Sequence, residues 1–464
     1  MAKKILVTGA TGLIGQKLCQ SLLQKDFKLV VVGRKPKSEA LTAFPFPCEY
    51  YSWDDIKKGV EIGPVESIVH LAGESIAEGR WTDEKKKRIL KSRVDTTSQL
   101  VTALQEQRLF TQSFISTSAI GIYGNRDDEG LTEESEAGSD FLAKVCQQWE
   151  TPLLNLSNTS IRVVILRFGI VLSADGGALK EMELPFVLGL GGSLGSGQQW
   201  MSWIHIDDLV RLIIFGIQQS SLRGPVNAVA PNPVQNEHFT KVLVQALNTS
   251  QFLPTPGFVI KSLLGEKSQI ALFSQKVSCQ KALVAGFHFR FENLELALNE
   301  LFHWRKNRFH LRFNNCLWVP KKKEELFPFF SDPYNLEKIT PPLLKFKVIG
   351  TSNSKITENT IIDYRLKIHG FPMKWRTIIT RWIPPSAFTD YQQIGPYSLW
   401  AHEHEFKDCQ NGTLMEDHVV YKLPIGPIGR LIVHPFVLKD INAIFEFRNK
   451  TIAKIFAGRT TTQD

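Results

Sequence analysis

The sequence has no long apolar run, no closely spaced cysteines and no low-complexity stretch, and each absence removes a class of protein. No apolar segment reaches the ~18 residues that crossing a bilayer takes, so membrane insertion is not expected. The six cysteines, Cys19, Cys48, Cys146, Cys279, Cys316 and Cys409, stand far apart with no C-x-x-C pair. That spacing argues against a disulfide framework or a zinc knuckle and fits a reducing compartment. "MAKKILVTGATG" enters a strand and turn at once, leaving no room for a signal peptide, and the expected location is the cytoplasm. The net charge is +9, yet lysine and arginine cluster only briefly, as in Lys85–Arg88 and Lys321–Lys323. A scattered surplus reads as solvated surface, so no nucleic-acid partner is expected. Oligomeric state leaves no mark in the sequence.

What is present is a two-part texture. The first half alternates Val/Ile/Leu runs ("KILVTG", "KLVVVG", "SIVHLAG", "SFISTSA", "IRVVILRFG") with helix-length amphipathic segments. Continuous apolar strands separated by helices predict a parallel sheet covered on both faces, a doubly wound α/β domain of the Rossmann type. From about Arg308 strands follow one another without helices between them, and "HEHEF" and "YRLKI" alternate as half-buried strands do. A long helical pattern, "GRLIVHPFVLKDINAIFEFRNKTIAKIF", closes the chain. The expected domains are residues 1–305 and residues 306–464, the second of α+β class.

The first strand and first helix are joined by "VTGATGLIG", with Gly9, Gly12 and Gly15 three residues apart. Gly9 permits a tight turn, Gly12 lets a pyrophosphate approach the backbone, and Gly15 lets helix and sheet pack closely. The helix N-terminus then offers free N–H groups to the anion. Thr11, Leu13 and Ile14 complete this candidate cradle. The second strand ends in Gly33-Arg34-Lys35 without a nearby carboxylate. A guanidinium there suits the 2′-phosphate of NADP, whereas an acid would suit the ribose of NAD; the alternative is an exposed basic turn. Leu71, Ala72 and Gly73 end the fourth strand with small residues where a cofactor would cross the sheet edge.

A series of ordered motifs carries a closer resemblance. "TGATGLIG", "HLAGESI", "RWTDEKKKRILKSRV", "STSAIGIYG", "DFLAKVCQQWE", "RFGIVLSADGGAL", "LGLGGSLGSGQQWMSWIHIDDL" and "GPVNAVAPNPVQNEHFT" follow one another to about Phe302. Together they resemble the epimerase family, atypical extended short-chain dehydrogenases/reductases that sometimes carry a cell-division-inhibitor label. The resemblance takes in a family C-terminal piece at about residues 250–300. It implies NADP contacts at Gly33, Arg34, Leu71, Ala72, Arg93 and Val171. Arg93 reads on sequence either as a phosphate ligand or as half of a surface salt bridge. His205, Asp207 and Asp208 in "WIHIDDL" read as helix-capping and structural residues.

Extended short-chain dehydrogenases usually carry Tyr-x-x-x-Lys on one helix, a tyrosine acid whose pKa the lysine lowers. The corresponding positions in "SDFLAKVCQQWE" are Leu142 and Cys146. Leu142 has no proton to give, and Lys144 lies two residues off the lysine position, on another helix face. The strand end "STSAIGIYG" offers Ser118 (or Thr117) to polarise a carbonyl and Tyr123 as a substitute acid. The other reading of Tyr123 is a tyrosine packed under the cofactor or substrate loop. Two functions stay open: an NADP-dependent oxidoreductase or epimerase acting on a small or hydrophobic substrate, and an NADP-binding sensor without turnover.

The C-terminal part resembles another group. "ITPPLLKF", "MKWRTIITRWIPPSAFTDYQQIGPYSLWAHEHEF" and "LPIGPIG" are similar to START-like, helix-grip proteins. That resemblance implies a sheet curved around the long helix and a cavity for a hydrophobic ligand. Trp375, Trp382, Phe388, Tyr391, Tyr397, Trp400 and Phe406 are candidates either for its lining or for ordinary core. His402 and His404 share one face of a strand and could join His418 or Glu416 around a metal. No other ligand spacing supports that, and no metal is expected.

Overall fold

The apolar runs of the first half form a seven-stranded sheet in a computed structural model of the chain, described for residues 3–250, 254–424, 426 and 429–456. Its strands are β1 (Lys4–Thr8), β2 (Lys28–Gly33), β3 (Glu49–Ser52), β4 (Gly63–His70), β5 (Leu109–Ala119), β6 (Arg162–Phe168) and β7 (Gly224–Ala228). All pair in parallel, in the order β7-β6-β5-β4-β1-β2-β3. Buried Leu6, Val30, Val32, Ile68 and Phe114 share a core cluster with Leu100, Val101 and Leu104 of helix α2 (Asp83–Gln105). Burial on both sheet faces explains why these strands read as continuous rather than alternating hydrophobic runs. The strand order reverses between β1 and β4. In open α/β sheets the crevice beyond the strands' C-terminal ends at such a point is the ligand site.

Chain contacts divide the molecule into two compact units, the first running to His303 and the second starting at Trp304, with Pro45–Pro47 grouped with the second. The second unit is one antiparallel sheet. Its strands are β8 (Leu311–Val319), β9 (Lys347–Thr351), β10 (Ile361–Ile368), β11 (Phe371–Ile383), β12 (Ala387–Ile394), β13 (Leu399–Cys409) and β14 (Gly412–Lys422), in the order β8-β14-β13-β12-β11-β10-β9. A 23-residue helix, His434–Phe456, ends the described chain. Its Ile441 and Phe445 cluster with Leu311 of β8 and Val419 and Tyr421 of β14. Ile452 joins a second cluster with Phe327, Phe388 and Phe406. A cavity of about 760 Å³ opens among β10–β13 and this helix. No helix among the described residues is long and apolar enough to cross a membrane.

Candidate functional site

The glycine turn sits where β1 meets α1 (Leu13–Leu23). Gly9 has φ +68°, and a Cβ there would lie 2.7 Å from the Leu71 carbonyl oxygen. At Gly15 a Cβ would come within 2.2 Å of the Gly9 oxygen. These two positions exclude side chains by backbone contact, so the turn holds its shape only with glycine. Gly12 N-caps α1 without any side-chain cap, and Thr11 and Gly12 are exposed. First-turn N–H groups are therefore left to an outside acceptor.

One buried chain of hydrogen bonds ties β1 to β4 beneath this turn. Thr8 Oγ1 accepts from the backbone N–H groups of Leu71 and Ala72, each at 3.1 Å. Its own proton then goes to His70 Nδ1 at 2.7 Å, and the Nε2–H tautomer of His70 donates to Thr97 Oγ1 at 3.0 Å. Thr97 donates in turn to the Arg93 carbonyl. Burial, with Arg93 as a lesser cause, pulls His70 down to about 3, which keeps it neutral. Leu71 and Ala72 are thus positioned by a side-chain chain that the sequence did not disclose.

Arg34 ends β2 exposed, with no ion pair among the described residues, while Lys35 beside it is paired with Glu39 at 2.5 Å. Gly33 is required by its neighbour: a Cβ would lie 2.5 Å from the Tyr50 hydroxyl, which donates to the Lys35 carbonyl. Arg93, on α2, is not a surface salt bridge. Its guanidinium lies 4.9 Å over the Trp149 ring, and Nη1 donates to the Glu74 and Ile89 carbonyls. Burial lowers its pKa, with Cys146 and Glu74 pulling the other way. A Cβ at Gly73 would meet the guanidinium carbon at 3.1 Å, so Gly73 is small to make way for Arg93. Val171, in the short strand Ile170–Leu172, and Leu13 both border Gly177. The structure thus brings Gly9 to Leu71, Gly73 to Arg93, and Leu13 to the Val171 loop, all past the C-terminal ends of the central strands.

The helix carrying the Tyr-x-x-x-Lys positions is α3 (Phe141–Glu150), capped by Asp140, which accepts from the Leu142 and Ala143 N–H groups. Lys144 is exposed. Cys146 is buried, and burial, then Glu150, pushes its thiol up to about 11. Ser118, at the end of β5, is buried beside that thiol, and its hydroxyl opposes the upward shift. Tyr123 lies elsewhere. Fully buried, it donates to Asn227 Oδ1 at 2.7 Å and accepts from Arg167 Nη1 at 3.0 Å. Burial raises its pKa against the lowering effect of Arg167. Arg167 is itself clamped on Glu150 through two bonds of 3.1 and 2.9 Å. Sequence reading overlooked Arg167 and Asn227, whose only signal is polarity inside otherwise apolar strands. His205 caps the helix Ile206–Gln218 by accepting from the Asp207 N–H, and Asp208 accepts from the backbone at Arg290 and Phe291. That motif is structural.

In the second unit Trp375, Trp382, Phe388, Tyr397 and Trp400 line the cavity, Phe406 is core, and Tyr391 is exposed. His402 and His404 line it too, with Asp390 of β12 and Arg448 of the long helix. His418 and Glu416 do not share their face: His418 registers with Glu403 and Glu416 with Glu405, on the opposite side of the sheet. The inward partners are Asp390 and Asp417. Burial alone would raise Asp417, but Arg448 and the two histidines outweigh it and hold the carboxyl well below its usual range. His402 is pulled down to about 4 by burial and by His404.

A glycine turn at the reversal point of a doubly wound parallel sheet defines a dinucleotide-binding protein of the Rossmann type. The NAD dependent epimerase/dehydratase family matches residues 5–228, and a domain of unknown function, DUF1731, matches residues 255–301. The chain is 38% identical over 306 residues to the chloroplastic epimerase family protein SDR39U1 homolog of Arabidopsis thaliana, spanning 64% of this chain and 86% of that protein. It is 33% identical to the epimerase family protein YfhF of Bacillus subtilis, over 65% of this chain and 99% of that protein. Human epimerase family protein SDR39U1, solved with NADPH, is similar at 31% identity and a TM-score of 0.60, over 65% of this chain and 99% of that one. A nucleoside-diphosphate sugar epimerase from Corynebacterium glutamicum follows at 32% and 0.52, over 65% of this chain and 59% of that one. The chain belongs to the epimerase family.

Proposed function

We propose that the first unit binds NADP(H). Gly9, Thr11, Gly12, Leu13 and Ile14 would cradle the pyrophosphate, and Gly33 and Arg34 would take the 2′-phosphate. Leu71, Ala72, Gly73 and Val171 would line the remainder, with Arg93 beside them. The observation that carries this is Arg34: exposed at the end of β2 and without an ion pair among the described residues, while the acid nearest in sequence, Glu39, is held by Lys35. Human SDR39U1 with NADPH supports the same reading. Arg34→Ala tests it. NADPH affinity in the full chain should fall by about 10- to 100-fold, the effect of losing a charge-assisted phosphate contact of roughly 1.4–2.7 kcal/mol, with NADH affinity unchanged. Equal losses for both cofactors would refute it.

When bound, a nicotinamide gives a hydride to, or takes one from, a substrate carbon, and the protein must then manage the proton. Ser118 is the hydroxyl at the relevant strand end and would polarise a carbonyl. The reading is an epimerase-type oxidoreductase, acting in the cytoplasm on a small or hydrophobic substrate, with a proton donor other than Tyr-x-x-x-Lys. The second reading, a binding protein without turnover, draws on the engaged Tyr123 hydroxyl, the apolar Leu142 and the thiol at Cys146. A panel of aldehydes, ketones and nucleotide sugars assayed for NADPH consumption separates them, since any saturable turnover lost in Ser118→Ala favours the enzyme. For the second unit we propose a START-like, helix-grip domain, because a long helix flanks an antiparallel sheet around a cavity large enough for a hydrophobic small molecule.

A further inference from the structure

The inward-facing polar residues of the second unit have the layout of a metal site. His402 and His404 are two residues apart on β13, and Asp390 on β12 registers opposite His402. Asp390 Oδ2 lies 3.7 Å from His402 Nδ1 and 3.4 Å from His404 Nε2. Ligand atoms around a tetrahedral ion with bonds of about 2.1 Å stand about 3.4 Å apart, so Asp390 stands at ligand spacing from both rings, and all three atoms lie within 4.8 Å of one another. The opposite ring nitrogens turn toward a common carboxylate. His402 Nε2 donates to Asp417 Oδ1 at 3.1 Å, and His404 Nδ1 lies 2.8 Å from the same oxygen, off the line of its N–H. A carboxylate behind a histidine fixes its tautomer and aims the other nitrogen at the metal. Asp417 is held in turn by the Asn315 amide at 3.0 Å and flanked by Arg448 at 3.9 Å.

We propose that His402, His404 and Asp390 bind a divalent transition-metal ion, with Asp417 as the positioning carboxylate behind both histidines. Two imidazoles and one carboxylate suit Zn²⁺, Fe²⁺ or Co²⁺ better than Mg²⁺ or Ca²⁺. All three ligands line the cavity, so the remaining coordination positions face its lumen, as in sites that act on a bound molecule rather than closed structural ones. The site stands on this cluster alone and requires neither NADP nor the helix-grip reading. A rival group, Glu405, Glu416 and His418, lies on the outer face with both carboxylates paired to Lys407.

The test is titration of the chelator-treated full chain with Zn²⁺ by calorimetry and with Co²⁺ by visible absorption. The expected result is one saturable equivalent per chain with ligand-field bands of a four- or five-coordinate ion. His402→Ala, His404→Ala and Asp390→Asn should each abolish it, Asp417→Asn should weaken it by about 10- to 100-fold, and His418→Ala should leave it intact. Near-UV circular dichroism identifies variants that stay folded; Asp390→Asn, isosteric at a partly exposed side chain, is the decisive one. No stoichiometric uptake, uptake undiminished in folded Asp390→Asn, or uptake lost only in His418→Ala would each overturn the assignment.

Discussion

At the ends of β1, β2 and β4 the first unit presents mainly backbone: a glycine turn, an uncapped helix start, and N–H groups held by Thr8. The inward face of β12–β14 in the second unit presents side chains instead, with His402, His404, Asp390 and Asp417 converging from three strands. The contrast teaches where each site's specificity resides. A backbone cradle is set by which positions tolerate no Cβ, and it accepts an anion of fixed shape. A side-chain cluster is set by strand register, and one exchanged residue changes its chemistry.

The largest effect that sharpens this contrast is expected at Gly15. Gly15→Val would drive a side chain into the Gly9 carbonyl and should cost more than about 3 kcal/mol. Chemical denaturation should show the first unit destabilised and NADPH binding lost, while the second unit's near-UV signal persists.

Acidification comes next. His70 has a folded-state pKa depressed to about 3, against roughly 6.5 when unfolded. Its contribution is therefore present above about pH 6.5 and is lost progressively as pH falls toward 3, by about 2 kcal/mol at pH 5. Urea unfolding of the first unit between pH 7 and pH 4 should show this slope, and His70→Asn should flatten it. An unchanged slope in the variant would remove His70 from the account.

Tyr123→Phe deletes the bonds to Asn227 and Arg167 and should cost about 1–3 kcal/mol. NADPH affinity should stay within roughly two-fold, since about 0.4 kcal/mol is the most a remote packing change should transmit. Severe loss of NADPH binding would show that this network supports the cradle directly. The smallest effect belongs to Lys144→Ala, an exposed change expected to stay within about 0.5 kcal/mol and to leave cofactor binding untouched. A marked loss there would restore the lysine to a functional role.

Much of the first unit was legible in its sequence because its signals are local. The glycine spacing and the apolar runs lie within single segments, and each maps onto one turn or one buried strand. The rest depends on residues far apart in the chain. Tyr123 meets Asn227 across 104 positions, and Thr8 meets His70 across 62; no periodicity announces such pairs. The same holds for His402 and His404, whose shared face was readable from alternation. Their partners were not, because alternation says which side a residue faces and not which strand lies beside it. Hence Glu416 and His418 suggested themselves, while register supplied Asp390 and Asp417.

The measurement that bears most directly on the central claim is equilibrium titration of the unmodified full chain with NADPH and, separately, NADH, followed by nicotinamide fluorescence. With Arg34 at the end of β2 and Glu39, the acid nearest in sequence, paired with Lys35, NADPH should bind at least about ten-fold more tightly, a difference of about 1.4 kcal/mol. Equal affinity for the two, or a preference for NADH, would contradict the account.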